Sequence, residues 1–110
     1  MTILIVGGAA QGKTAFAKTI SPQTEIVDNL HAIVKAAMQE GRPIPKAEEF
    51  LGKTVVCNEL GCGVVPMDAM ERDWREHTGR LCCDLAARAD RVYRVCCGIP
   101  QCIKEETCAW

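Results

Sequence analysis

Thr2-Ile3-Leu4-Ile5-Val6-Gly7-Gly8-Ala9-Ala10-Gln11-Gly12-Lys13-Thr14 is the stretch that decides how the rest of the chain reads. Its first five residues are a nearly continuous apolar run rich in β-branched side chains. That is the pattern of a strand buried on both faces of a parallel sheet. From Gly7 to Thr14 the chain fits G-x-x-x-x-G-K-[ST], with a helical pattern following over residues 12–20. The glycines let the backbone wrap closely around phosphate oxygens. Successive N–H groups and the helix N-terminus then point at the anion. Lys13 can reach the β and γ phosphates, and the Thr14 hydroxyl can ligate Mg²⁺. The competing reading is a Gly-rich turn with a surface lysine. The full pattern at a strand-to-helix junction favours a phosphate-binding loop, the P-loop, in which Gly7, Gly8, Ala9, Ala10, Gln11, Gly12, Lys13 and Thr14 all take part.

Outward from this loop, strand and helix patterns alternate. Ser21-Pro22 stops the first helix. Glu25-Ile26-Val27-Asp28 is a second short strand, and Asn29 is placed to cap a helix carrying Leu30, Ile33, Val34, Ala37 and Met38 at helical spacing. Gly41-Arg42-Pro43 ends it, and residues 46–51 add a helical turn. Residues 53–58 are a third strand, followed by a loop with Gly61, Gly63 and Pro66. Asp68 and Glu71 fit a capping box for a helix that buries Met67, Met70 and Trp74. Gly79 is expected to interrupt this helix, which resumes with Leu81, Leu85 and Ala89 inward. Residues 91–97 are a fourth strand, ended by Gly98-Ile99-Pro100, and the polar tail beyond has no assigned element. The order β-α-β-α-β-α-α-β predicts an α/β fold, a P-loop NTPase-like three-layer α/β/α domain with a small, mainly parallel sheet over residues 1–110. Four strands leave open edges that a second copy of the chain could cover, so a homo-oligomer fits.

The bulk properties narrow the function. In 110 residues, 13 Lys plus Arg against 14 Asp plus Glu give a net charge of −1, which argues against a nucleic-acid binder acting through a positive field. No apolar run is long enough to span a bilayer, so no membrane role is expected. No basic segment precedes the N-terminal apolar run, and the expected localisation is cytoplasmic. Eight cysteines are many for this length. They lack a Cys-x-x-Cys pair, and Cys82-Cys83 and Cys96-Cys97 are adjacent, which suits chelation poorly. Free thiols acting as small core residues are the favoured reading. Zinc held by Cys97, Cys102 and Cys108 is the alternative.

Two carboxylates have the right placement for chemistry. Asp28 follows the second strand at the sheet edge where nucleotides bind, where it can hold Mg²⁺ or merely form a turn. Glu59 follows the third strand, where it can contact a metal or act as general base, or else lie solvated in the loop. His31 and His77 lie in helices, where a packed or surface histidine is the simpler reading than a nucleophile. Arg72, Arg75, Arg80, Arg88, Arg91 and Arg94 alternate with acids, as on a solvated mixed-charge face.

At Asn58-Glu59-Leu60-Gly61-Cys62-Gly63-Val64-Val65-Pro66 the sequence resembles the bifunctional adenosylcobinamide kinase / adenosylcobinamide-phosphate guanylyltransferase family of cobalamin biosynthesis. Residues 72–80, 85–93 and 98–100 continue the likeness, as does Val27-Asp28-Asn29-Leu30. The resemblance implies a shortened member that takes ATP or GTP with Mg²⁺. It also implies phosphoryl transfer to a corrinoid, cobinamide, with Lys13, Asp28 and Glu59 in the catalytic site and Thr14 and Asp28 at the metal. The family's guanylyl-accepting histidine has no counterpart here. An alternative alignment that sets Arg42-Pro43 and Glu48-Glu49 against family motifs puts Met38 at its position. The resemblance thus favours the kinase half over the guanylyltransferase half. A nucleotide-binding module without transfer, and a small kinase or NTPase with another substrate, are the rival functions.

Overall fold

The computed structural model describes residues 1–8, 12–58 and 69–105. Ten elements follow in order, two of them single 3₁₀ turns. The strands are β1 (Ile3–Gly7), β2 (Ile26–Val27), β3 (Thr54–Asn58), β4 (Arg91–Cys96) and β5 (Ile99–Glu105). The helices are α1 (Lys13–Ile20), α2 (Leu30–Gln39) and α3 (Ala69–Arg88), and the 3₁₀ turns are Gln23–Glu25 and Ala47–Phe50.

The strands form one sheet in the order β2-β3-β1-β4-β5. β1 pairs in parallel with β3 and β4, and β2 in parallel with β3, while β5 returns antiparallel to β4. Side chains alternate between the two faces of a strand, and both faces of the sheet centre, β3, β1 and β4, are covered, while most of β5 is exposed. Ile3, Ile5, Val56 and Val95 pack with Ala17 of α1 on one side. Leu4, Val55, Cys57 and Val92 pack with Leu30 and Val34 of α2 and Leu81 and Leu85 of α3 on the other. This is the α/β, three-layer, mostly parallel arrangement that the apolar β1 run implies.

Four local expectations need correction. The sheet has five strands rather than four, because the chain does not stop at Gly98-Ile99-Pro100 but turns back as β5. Cys97 and Gly98 both have positive φ, 52° and 76°, as a two-residue hairpin turn with strand-like twist requires. Gly79 does not break α3, which runs unbroken through it. A helix-interior glycine costs roughly 1 kcal/mol, and the inward Thr78, Leu81 and Leu85 on both sides hold the helix in place. Met70 and Ile33, expected inside, are exposed. Asn29 occupies the N-cap position of α2 but makes no side-chain cap bond, because its φ of 55° places it in the left-handed region, which Asn tolerates.

The cysteines also depart from the core reading. Among the described ones only Cys57 is buried; Cys82 is half-buried, and Cys83, Cys96, Cys97 and Cys102 are exposed. Adjacent cysteines diverge, so a second thiol beside an inward residue is turned outward. Cys62 and Cys108, with Asp68 of the expected capping box and Met67, lie outside the described residues. So does the third ligand of the zinc alternative, Cys108. Among the described residues no three His, Cys, Asp or Glu side chains gather to hold a metal.

Candidate functional site

The C-terminal ends of β1, β2 and β3 lie along one edge of the sheet, with Gly7 of β1 directly paired to Asn58 of β3. β1 has β3 on one side and β4 on the other, the switch point at which open α/β sheets bind ligands. The flanks of the phosphate-loop motif stand here. Gly7 admits no side chain, since a Cβ there would lie 2.5 Å from the backbone oxygen of Val95 on β4. Gly12 precedes α1 with φ 87°, a left-handed conformation that favours glycine. A Cβ on it would also sit 3.5 Å from the Gly98 Cα, so the β4–β5 turn stands beside the loop.

Lys13 opens α1 and is only 6% exposed. Its Nζ donates to the carbonyl oxygen of Gly8 at 2.5 Å, which holds the cation along the loop. Thr14, one residue on, donates from Oγ1 to Oδ1 of Asp28 at 2.9 Å. The carboxylate reaches this point because β2 ends at Val27, in parallel register with β3. Thr14 and Asp28 thus present hard oxygen atoms side by side, the donor type that Mg²⁺ prefers. If Mg²⁺ binds, these two residues would hold it, and it would neutralise charge on the phosphate oxygens.

His31 belongs to the same edge. It lies in the first turn of α2, three residues beyond Asp28, and its Nδ1 accepts the backbone N–H of Asn58 at 3.1 Å. Its pKa is pushed below the ordinary histidine value by burial first and then by the Lys13 cation, against a smaller opposing pull from Asp28. Trp74 of α3 donates its indole N–H to the His31 carbonyl at 2.8 Å, and Lys35 stands 4.6 Å over the Trp74 ring. Behind Asn58, the Cys57 thiol donates to the Asn58 carbonyl oxygen at 3.4 Å. The neighbouring Cys82 thiol is pushed well above its ordinary pKa by its hydrogen bond to Cys57 and by burial.

The structure therefore brings Gly7, Gly8, Gly12, Lys13, Thr14 and Asp28 to one edge. Ala9, Ala10 and Gln11 of the loop, and Glu59 after β3, lie outside the described residues. The sequence reads His31 as a packed or surface helix histidine and misses its place at this edge. Its position three residues past Asp28, inside the first helical turn, is the signal that could have found it. His77 is not part of the group: it lines a cavity of about 370 Å³ between residues 44–48 and α3, with Lys46, Arg80 and Asp84 among its walls. The arginines behave as a mixed-charge surface, with Arg80 on Glu76 at 2.5 Å and Arg88 on Glu48 at 2.9 Å. Among the described residues no helix is long and apolar enough to cross a membrane.

Among curated proteins none matches the chain. The family model for CobU, cobinamide kinase / cobinamide phosphate guanyltransferase, matches residues 21–103. That match begins beyond the loop at 7–14, so it does not bear on the phosphate-binding reading of the loop. It takes in Asp28, His31 and Asn58, and with most of the chain matched, this protein belongs to the cobinamide kinase / cobinamide phosphate guanyltransferase family.

Proposed function

We propose that the chain binds ATP or GTP with Mg²⁺ at the loop between β1 and α1 and carries the kinase half of its family's chemistry. The phosphoryl group would pass from the nucleotide to a corrinoid hydroxyl. The observation that carries this reading is the Thr14–Asp28 hydrogen bond, which sets a hydroxyl and a carboxylate together one residue from Lys13. Phosphoryl transfer depends mainly on positioning and electrostatics. The glycine backbone and the N-terminus of α1 supply N–H donors to the phosphates, and the Lys13 ammonium spreads the charge of the terminal group. Thr14 and Asp28 would hold Mg²⁺, which would supply charge neutralisation at the phosphate oxygens. The acceptor oxygen forms a bond to the γ phosphorus as the bridge to the β phosphate breaks and the nucleoside diphosphate leaves. Glu59, next in chain to Asn58, is the candidate to take the hydroxyl proton.

Guanylyl transfer is not part of the proposal, because the family's nucleotide-accepting histidine has no counterpart in this sequence. Among the described residues no strand pairs with the outer edge of β5, which supports an assembly of copies. The test is to incubate the purified chain with cobinamide, Mg²⁺ and either ATP or GTP, and to follow phosphorylated corrinoid by mass spectrometry. Product that disappears in Lys13→Ala supports the kinase. Nucleotide binding without product assigns the chain to the binding-module alternative, and nucleotide turnover indifferent to cobinamide assigns it another acceptor.

A further inference from the structure

His31 is a titratable residue at this edge that the phosphate-loop reading does not use. A backbone N–H can only donate, so the bond from Asn58 requires a bare lone pair on His31 Nδ1. A neutral imidazole with a bare Nδ1 carries its proton on Nε2. We infer that His31 is a positioning residue for the nucleotide site, a neutral Nε2-protonated imidazole that ties the first turn of α2 to the end of β3. This rests on the nucleotide reading given above.

Three contacts make the tie a defined one. Asn58 is the last residue of β3 and is paired in register with Gly7, where the phosphate loop begins. Asp28 lies three residues before His31, with its carboxylate bonded to Thr14. The Trp74 indole anchors the His31 backbone from α3. The imidazole therefore fixes the spacing between the carboxylate beside Thr14 and the point where the chain leaves β3 toward Glu59. Among the described residues no acceptor is bonded to Nε2–H, which is placed to donate to a ligand oxygen. Neither nitrogen offers a lone pair: one accepts from Asn58 and the other bears the proton. His31 is thus not a substitute for the nucleotide-accepting histidine of the family.

The experiment has two readings on the full chain. Long-range ¹⁵N–¹H correlation spectra, with His77→Gln to assign the two histidines, report the tautomer directly. Calorimetric titration with ATP and GTP plus Mg²⁺ then compares wild type with His31→Leu and His31→Asn, since the Asn side-chain oxygen can replace Nδ1 as acceptor. The expected results are a protonated Nε2 with bare Nδ1 at neutral pH and binding about tenfold weaker in His31→Leu, the scale of one lost hydrogen bond. In His31→Asn, binding should return to within about threefold of wild type. No nucleotidyl adduct on His31 should appear by mass spectrometry. A proton on Nδ1, an adduct on His31, or His31→Leu binding as tightly as wild type overturns the proposal. So does His31→Asn as weak as His31→Leu, the mark of a merely structural residue. If His31→Leu fails to fold, the tautomer of the wild-type ring decides. A wild-type chain that binds neither nucleotide overturns the nucleotide reading itself, which is distinct from binding that is indifferent to His31.

Discussion

Thr14 Oγ1 donates to Asp28 Oδ1 across 2.9 Å, joining the first turn of α1 to the residue that follows β2. The two positions are distant in the sheet, since β3 lies between β1 and β2. Parallel register brings them together by aligning the C-terminal ends of all three strands. The pair is exposed, so its removal should cost the fold little. Its effect should fall on the metal-dependent part of ligand binding.

Asp28→Asn keeps the size of the side chain and removes its charge. Calorimetric titration should show nucleotide binding in Mg²⁺ weakened about tenfold or more, the scale of losing a charge-assisted interaction. Binding measured with a metal chelator should be nearly unchanged from wild type. The melting temperature should stay within a few degrees.

Gly7 and Gly79 should respond to alanine in opposite directions. At Gly7 a Cβ meets the Val95 carbonyl oxygen at 2.5 Å, and the obstacle is strand backbone that cannot rotate away. Gly7→Ala should destabilise the fold by about 2 kcal/mol, as overpacking does. At Gly79 a Cβ meets nothing within 4 Å, and the residue is inside a helix. Gly79→Ala should stabilise by about 0.5–1 kcal/mol through lower unfolded-state entropy. Denaturant midpoints on the two variants check both signs.

The layered fold was legible where one signal dominated. A nearly continuous apolar run rich in β-branched residues reads as a strand buried on both faces, and β1 lies between β3 and β4. Leu81, Leu85 and Ala89 at four-residue spacing marked the buried face, and all three are inside. The β4–β5 hairpin was hidden because its turn carries Cys97 at a left-handed position where Asn or Gly would have announced it. Gly79 and the cysteines misled for a related reason: helix continuity and thiol exposure are set by tertiary neighbours, not by residue type. In the site, the loop motif, Lys13, Thr14 and Asp28 could be picked out by spacing and by position at strand ends. His31 could not, because its role comes from a hydrogen bond to a residue 27 positions away.

The lowered pKa of His31 gives the fold a pH dependence. Its ordinary value is near 6.5, and burial and the Lys13 cation depress it in the folded chain. Between the two values the unfolded chain binds the proton more readily, so stability falls as pH falls. The contribution of the neutral ring is present in full above about pH 6.5. It is lost progressively below that, as pH falls through the folded value. Denaturant unfolding from pH 8 to pH 5 should show this decline, and it should be smaller in His31→Asn, which has no proton to gain.

Calorimetric titration of the full chain with GTP and with ATP in Mg²⁺, beside Lys13→Ala, tests nucleotide binding at the loop. Lys13 is buried at the start of α1, its Nζ bonded to the Gly8 carbonyl, and it is the residue that the proposed function assigns to the phosphates. Saturable binding of at least one nucleotide by wild type is expected, weakened about a hundredfold in Lys13→Ala, the scale of two charge-assisted hydrogen bonds. Wild-type binding that Lys13→Ala leaves intact, or no binding of either nucleotide, would contradict nucleotide binding at the loop.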